Sequence, residues 1–103
     1  STHKVVPRPD FNIGTDSFHT SQKLIDISVK FFKERNLTLG VNYPFCGSIV
    51  PIEYYRKNQN VASIMLEINR KLYLKNNSNE KSENYELTKK NVQEYIKLIK
   101  SNL

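Results

Sequence analysis

Val61-Ala62-Ser63-Ile64-Met65-Leu66-Glu67-Ile68 is the stretch that decides the fold. It reads as a buried strand whose apolar run is interrupted near its end by one acid. Alternation places Ile64, Leu66 and Ile68 on one side and Met65, Glu67 and Asn69 on the other. A run this apolar wants cover on both faces, as a central strand of a sizeable sheet has. A carboxylate beside a core is costly to ionise unless something pairs with it or chemistry uses it. Two readings of Glu67 follow: an ion pair with Arg70 or Lys71, or a functional carboxylate near the strand's C-terminal end, where open α/β sheets place their ligand sites.

Working outward, Pro7 and Pro9 mark an extended lead-in, and Phe11-Asn12-Ile13 alternates as a short strand stopped by Gly14. Thr20 is the expected N-cap of a helix from Ser21 to about Arg35. Its apolar stripe is Leu24, Ile27, Ser28 and Phe31, widened by Ile25 and Phe32. Asn36 is the expected stop. Leu37 to Asn42 alternates as a second strand, with Leu37, Leu39 and Val41 on one face. After the strand of Glu67, Asn69 to Leu74 predicts a short helix, and the polar run Asn76 to Asn84 a mobile loop. A terminal helix spans about 84–101, with Tyr85, Thr88, Val92, Tyr95, Ile96 and Ile99 as its buried stripe. This order predicts one α/β domain over 1–103 with partly parallel strands. Three strands and two helices leave sheet edges without partners, so the chain reads as part of a bigger fold.

The stretch Tyr43-Pro44-Phe45-Cys46-Gly47-Ser48-Ile49-Val50-Pro51 carries too many prolines and glycines for a long regular element, and too many apolar residues for a loose loop. It predicts an ordered, packed loop, followed by a turn or helical piece through Tyr54 and Tyr55. Asn42 and Ser48 offer polar contacts, and Gly47 permits close backbone approach. The same residues also suit a rigid connection with no ligand. Arg70, through its planar guanidinium, and Tyr54 and Tyr55 are further candidates for orienting an anion.

Composition narrows the classes. The chain has 103 residues, 38% of them hydrophobic, with 16 Lys and Arg against 10 Asp and Glu and a net charge of +6. The cations are dispersed on helical faces, which argues for solvated surfaces rather than a nucleic-acid stripe. No apolar run reaches the roughly 20 residues of a membrane span. Ser1 to Arg8 lacks the apolar centre of a signal peptide. The single cysteine, Cys46, suits a reducing, cytoplasmic setting and predicts a plain buried thiol. His3 and His19 are too few to build a three-ligand zinc site, and neither is assigned as a ligand.

Three blocks in order carry a resemblance. Pro9-Asp10-Phe11-Asn12-Ile13-Gly14-Thr15-Asp16 with Phe18-His19-Thr20, then Asn42 to Pro51, then Met65-Leu66-Glu67-Ile68-Asn69-Arg70-Lys71-Leu72-Tyr73 resemble the N-formylglutamate amidohydrolases. The core motifs cover residues 9–74. The resemblance implies a phosphorylase/hydrolase-like fold of the zinc carboxypeptidase type, a mixed sheet flanked by helices. It implies hydrolysis of N-formylglutamate, or another N-acyl amino acid, to formate and glutamate by zinc-activated water. Glu67 would be the catalytic general base, and Asn42, Tyr43, Phe45, Gly47, Ser48 and Arg70 the substrate-binding residues. The family's zinc ligands lie in motifs upstream of the block that begins here at Pro9. The chain therefore corresponds to a C-terminal fragment, expected to be inactive alone and to partner the missing N-terminal half of the catalytic domain. The competing expectations are a non-catalytic basic binding module and a scaffold that self-associates through an exposed sheet edge.

Overall fold

The computed structural model describes residues 7–103. Strand β1 (Phe11–Gly14) is central in a three-stranded sheet of order β2-β1-β3, with β2 at Leu39–Val41 and β3 at Met65–Ile68. β1 runs parallel to β2 and antiparallel to β3, which is the mixed sheet of an α/β fold. Helix α1 (Gln22–Glu34) makes the crossover from β1 to β2, as a parallel pair requires. Helix α2 (Tyr85–Lys100) closes the chain.

Both helices lie on one face of the sheet. Phe11 and Ile13 of β1 meet Phe31 and Phe32 of α1 and Tyr95 of α2 in a buried cluster, with Leu39, Ile64, Leu66 and Ile68 packed around it. The rings interlock at 4.6 Å for Phe11–Phe32 and 5.0 Å for Phe32–Tyr95. Such offset and tilted geometry suits aromatic quadrupoles. One polar link crosses the helix pair. The Ser28 hydroxyl donates to the Leu24 carbonyl, which leaves its oxygen to accept from the Tyr95 hydroxyl at 2.7 Å. Burial pushes the Tyr95 phenol above its usual pKa. Arg35, stacked on Phe31 and 3.1 Å from Glu94, ties the end of α1 to α2.

Several boundaries differ from the sequence reading. The N-cap of α1 is Ser21, whose Oγ accepts from the Leu24 amide. Thr20 instead has its hydroxyl between the Asp16 amide and the Ser63 carbonyl. That second bond also explains why the strand expected from Val61 begins only at Met65. Backbone groups of 61–63 are taken by others: the Val61 and Ser63 carbonyls by the His19 and Thr20 side chains, and the Ser63 amide by the His19 carbonyl. The helix expected over Asn69 to Leu74 is a single 3-10 turn at Arg70–Leu72. Asn76 to Asn84 is tied down rather than loose, through a Leu74–Lys81 bridge and bonds from Arg70 to Ser78 and Asn79. On α2, Ile96 is exposed, and Leu98 takes its expected place at the core.

Candidate active site

The other face of the sheet is built differently. Register pairs Glu67 with Asn12 and Met65 with Gly14 across β1 and β3, and Gly40 with Asn12 across β1 and β2. Directly opposed residues project to the same side. Gly40, Asn12, Gly14, Met65 and Glu67 therefore form one surface, opposite the helices.

Because β3 runs against β1, Ile68 lies at the start of β1, whereas β2 ends beside Ile13. The C-terminal ends of β2 and β3 thus point to opposite ends of the sheet. What brings the loop after β2 to Glu67 is that it doubles back over the sheet. Two glycines make this possible. A Cβ on Gly40 would sit 2.0 Å from the Tyr43 carbonyl oxygen, and one on Gly14 would sit 2.1 Å from that of Gly47. Both obstacles are backbone, so any side chain at either position would displace the loop.

Asn12 clamps the returning loop. It is 3% exposed, its Oδ1 accepts from the Tyr43 amide at 3.1 Å, and its Nδ2 donates to the Phe45 carbonyl at 2.9 Å. The two bonds straddle the cis peptide between Tyr43 and Pro44. A second clamp holds the far end of the loop. His19 is 3% exposed, and both ring nitrogens are engaged. Nδ1 donates to the Val61 carbonyl at 2.7 Å, and Nε2 accepts from the Arg56 amide at 2.7 Å. Asp16 completes this knot. Backbone amides of Phe18 and His19, aided by the nearby Arg56 charge, hold its carboxyl below the usual value against the opposing effect of burial.

The expected site residues fall into distinct settings. Glu67 is half-buried, and it forms no ion pair among the described residues. The partners considered for it are engaged elsewhere: Lys71 lies 3.6 Å from Asp10, and Arg70 donates to the Ser78 carbonyl at 2.6 Å. Tyr43 and Phe45 are exposed on the returning loop. Ser48 Oγ is buried and, among the described residues, has no hydrogen-bond partner. An orphaned hydroxyl of this kind invites a water or a ligand atom. Gly47 takes a φ of 88°, a conformation natural to glycine. Asn42 uses its whole carboxamide on Thr15, accepting from the amide and donating to Oγ1, both at 2.8 Å. Arg70 braces the 78–79 turn rather than the loop. Cys46 is exposed, contrary to the buried thiol expected.

No group of three or more His, Cys, Asp and Glu capable of holding a metal occurs among the described residues. Both His19 nitrogens are engaged by backbone groups, and His3 lies outside the described residues. No helix of the described residues is long and apolar enough to cross a membrane. Asn12 and the His19 clamp are the functional-looking residues that sequence reasoning missed. A polar residue alternating within a strand looks like a solvent-facing position. The only hint was two glycines, at 14 and 40, inside or at the end of strand patterns.

The family model for N-formylglutamate amidohydrolase matches residues 1–74. No curated protein matches the chain. Among solved structures, the N-formylglutamate amidohydrolase from Ralstonia eutropha JMP134 aligns with a TM-score of 0.74 and 21% identity. The alignment covers 90% of this chain and 34% of that one, so the chain spans about a third of that protein's length. At that identity the likeness establishes the fold, and the family match over most of the chain establishes the kinship. The chain belongs to the N-formylglutamate amidohydrolase family.

Proposed function

We propose that this chain is the C-terminal portion of a hydrolase that cleaves the amide of N-formylglutamate or a related N-acyl amino acid, with Glu67 as general base. The observation that carries this reading is the setting of Glu67. It is a half-buried carboxylate with no ion partner among the described residues, directly across from the asparagine that holds the family's loop over the same face. A structural ion pair would have used Lys71 or Arg70, and both are bound elsewhere.

In the reaction, the Glu67 carboxylate takes a proton from the attacking water as its oxygen bonds to the formyl carbon. The same proton then passes to the leaving nitrogen as the C–N bond breaks, giving formate and the free amino acid. The Tyr43–Phe45 loop is held by Asn12 over the face that carries Glu67, and Ser48 Oγ offers an uncommitted hydroxyl. Zinc activation of the water belongs to this proposal as well, with ligands contributed from outside the described residues.

The remainder of the catalytic domain is the proposed partner. Ile49 is 87% exposed and Ile52 83%, on the loop side that also exposes Tyr43, Phe45, Tyr54 and Tyr55. β2 and β3 each have one neighbour among the described residues, so both edges are open to further strands. The test is formate release and zinc content, measured for the 103-residue chain alone and joined to the N-terminal portion of the family fold. The expected result is neither activity nor stoichiometric zinc for the chain alone, and formate release from the joined protein. A joined protein that folds and binds zinc but releases no formate overturns the reaction. Zinc binding and turnover by the chain alone overturns the fragment assignment.

A further inference from the structure

We propose that Arg8 recognises the side-chain carboxylate of the substrate, and so selects acidic N-acyl amino acids. The inference rests on the reading of Glu67 given above.

Arg8 lies four residues before Asn12, in the lead-in to β1. The lead-in is pinned beside β3. The Asn69 amide donates to the Asp10 carbonyl at 2.8 Å, and the Asn69 side chain reaches the Pro9 carbonyl at 3.2 Å. The Arg8 guanidinium stands over the Phe45 ring, 5.2 Å from its centroid. That ring is itself positioned, because Asn12 holds the Phe45 carbonyl. Stacking on an aromatic face orients a guanidinium while leaving its edge N–H groups free to grip a carboxylate in bidentate fashion.

The other arginines are committed. Arg35 pairs with Glu94 at 3.1 Å, Arg56 reaches Asp16 at 3.5 Å, and Arg70 donates to the Ser78 carbonyl. Lys71, the nearest lysine in sequence to Glu67, is on Asp10. Among the described residues, Arg8 is the arginine whose guanidinium has no hydrogen-bonded acceptor. It also stands over the ring of the loop that Asn12, the residue paired with Glu67, holds in place. A substrate carrying a second carboxylate needs such a cation, at a distance from the amide that a short side chain spans.

Arg8 is exposed, so its substitution should leave the fold intact. The experiment uses the joined protein with N-formylglutamate and its neutral analogue N-formylglutamine. Arg8→Ala is expected to lower kcat/KM for the acidic substrate by roughly tenfold to a hundredfold, mainly through KM, and to change the neutral one by less than about threefold. Arg8→Lys is expected to recover part of the loss. Equal losses on both substrates overturn the proposal. If neither substrate is turned over, the proposed reaction has failed, and calorimetric binding of glutarate judges Arg8 by itself. Glutarate binding that Arg8→Ala abolishes upholds the assignment. Equal binding by both proteins, or none by either, overturns it.

Discussion

The two faces of the sheet are made by opposite means. The helix face is held by bulk: Phe11, Ile13, Phe31, Phe32 and Tyr95 exclude water from one another, and apolar area supplies the free energy. The loop face is held by missing side chains and by hydrogen bonds. Gly40 and Gly14 let backbone approach backbone, and Asn12 and His19 fasten the chain at two places. A face built from area tolerates small geometric change but not loss of volume. A face built from close approach tolerates neither an added atom nor a lost bond, and it carries the polar groups that chemistry needs. Apolar bulk and hydrogen-bonded close approach are thereby divided between the two sides of β1.

The largest effect should come from emptying the helix face. Phe32 is fully buried. Phe32→Ala should cost about 3–5 kcal/mol, seen as a large fall in the urea midpoint or outright unfolding. A loss below about 1 kcal/mol would mean that bulk does not hold this face.

Gly14→Ala tests the opposite face by adding one methyl. The Cβ would meet the Gly47 carbonyl oxygen at 2.1 Å and Met65 Cε at 2.6 Å. The expected cost is about 1–3 kcal/mol. Amide hydrogen exchange should lose protection at Tyr43 while the β1–β3 ladder keeps it. Unchanged protection at Tyr43 would separate the glycine from the loop.

Tyr95→Phe should cost about 1 kcal/mol at neutral pH by removing the bond to Ser28. The phenol's pKa is raised in the folded state from the ordinary 10.0. Its contribution is therefore present in full below pH 10 and declines as pH rises through the folded value, because the unfolded chain ionises first. Alkaline titration of the urea midpoint should show a steeper fall for the wild type than for the variant. Parallel curves would contradict this. The smallest effect belongs to Asp16, whose lowered pKa makes the sign opposite. Its contribution is complete above the ordinary 3.8 and fades as pH falls below it. Asp16→Asn should flatten the acid limb of the same titration.

The helix face was legible in the sequence because area leaves a period. Leu24, Ser28, Phe31 and Phe32 recur as a buried helix stripe, and the alternation of Ile64, Leu66 and Ile68 matches their packing against the core. The family, too, was legible, in three blocks of short motifs. The loop face left fainter marks. Nothing in the spacing of Met65 to Ile68 tells whether that strand runs with or against β1. The doubling back that brings the 43–51 loop onto the face of Glu67 is therefore not legible in the spacing. Hydrogen bonds between a strand asparagine and a distant loop have no period at all, and Asn12 went unnoticed for that reason. Thr20 reads as a cap in the sequence because its hydroxyl suits one. Its distant partner, the Ser63 carbonyl, is what claims it.

Whether the loop face is a catalytic surface comes down to Glu67. The direct measurement is formate release by the joined protein carrying Glu67→Gln, with the urea midpoint of the same variant as control. Glutamine keeps the size of the side chain and removes its ability to take a proton. The account predicts a fall in kcat of about a hundredfold or more with the midpoint unchanged. Undiminished turnover by a folded Glu67→Gln protein would contradict it.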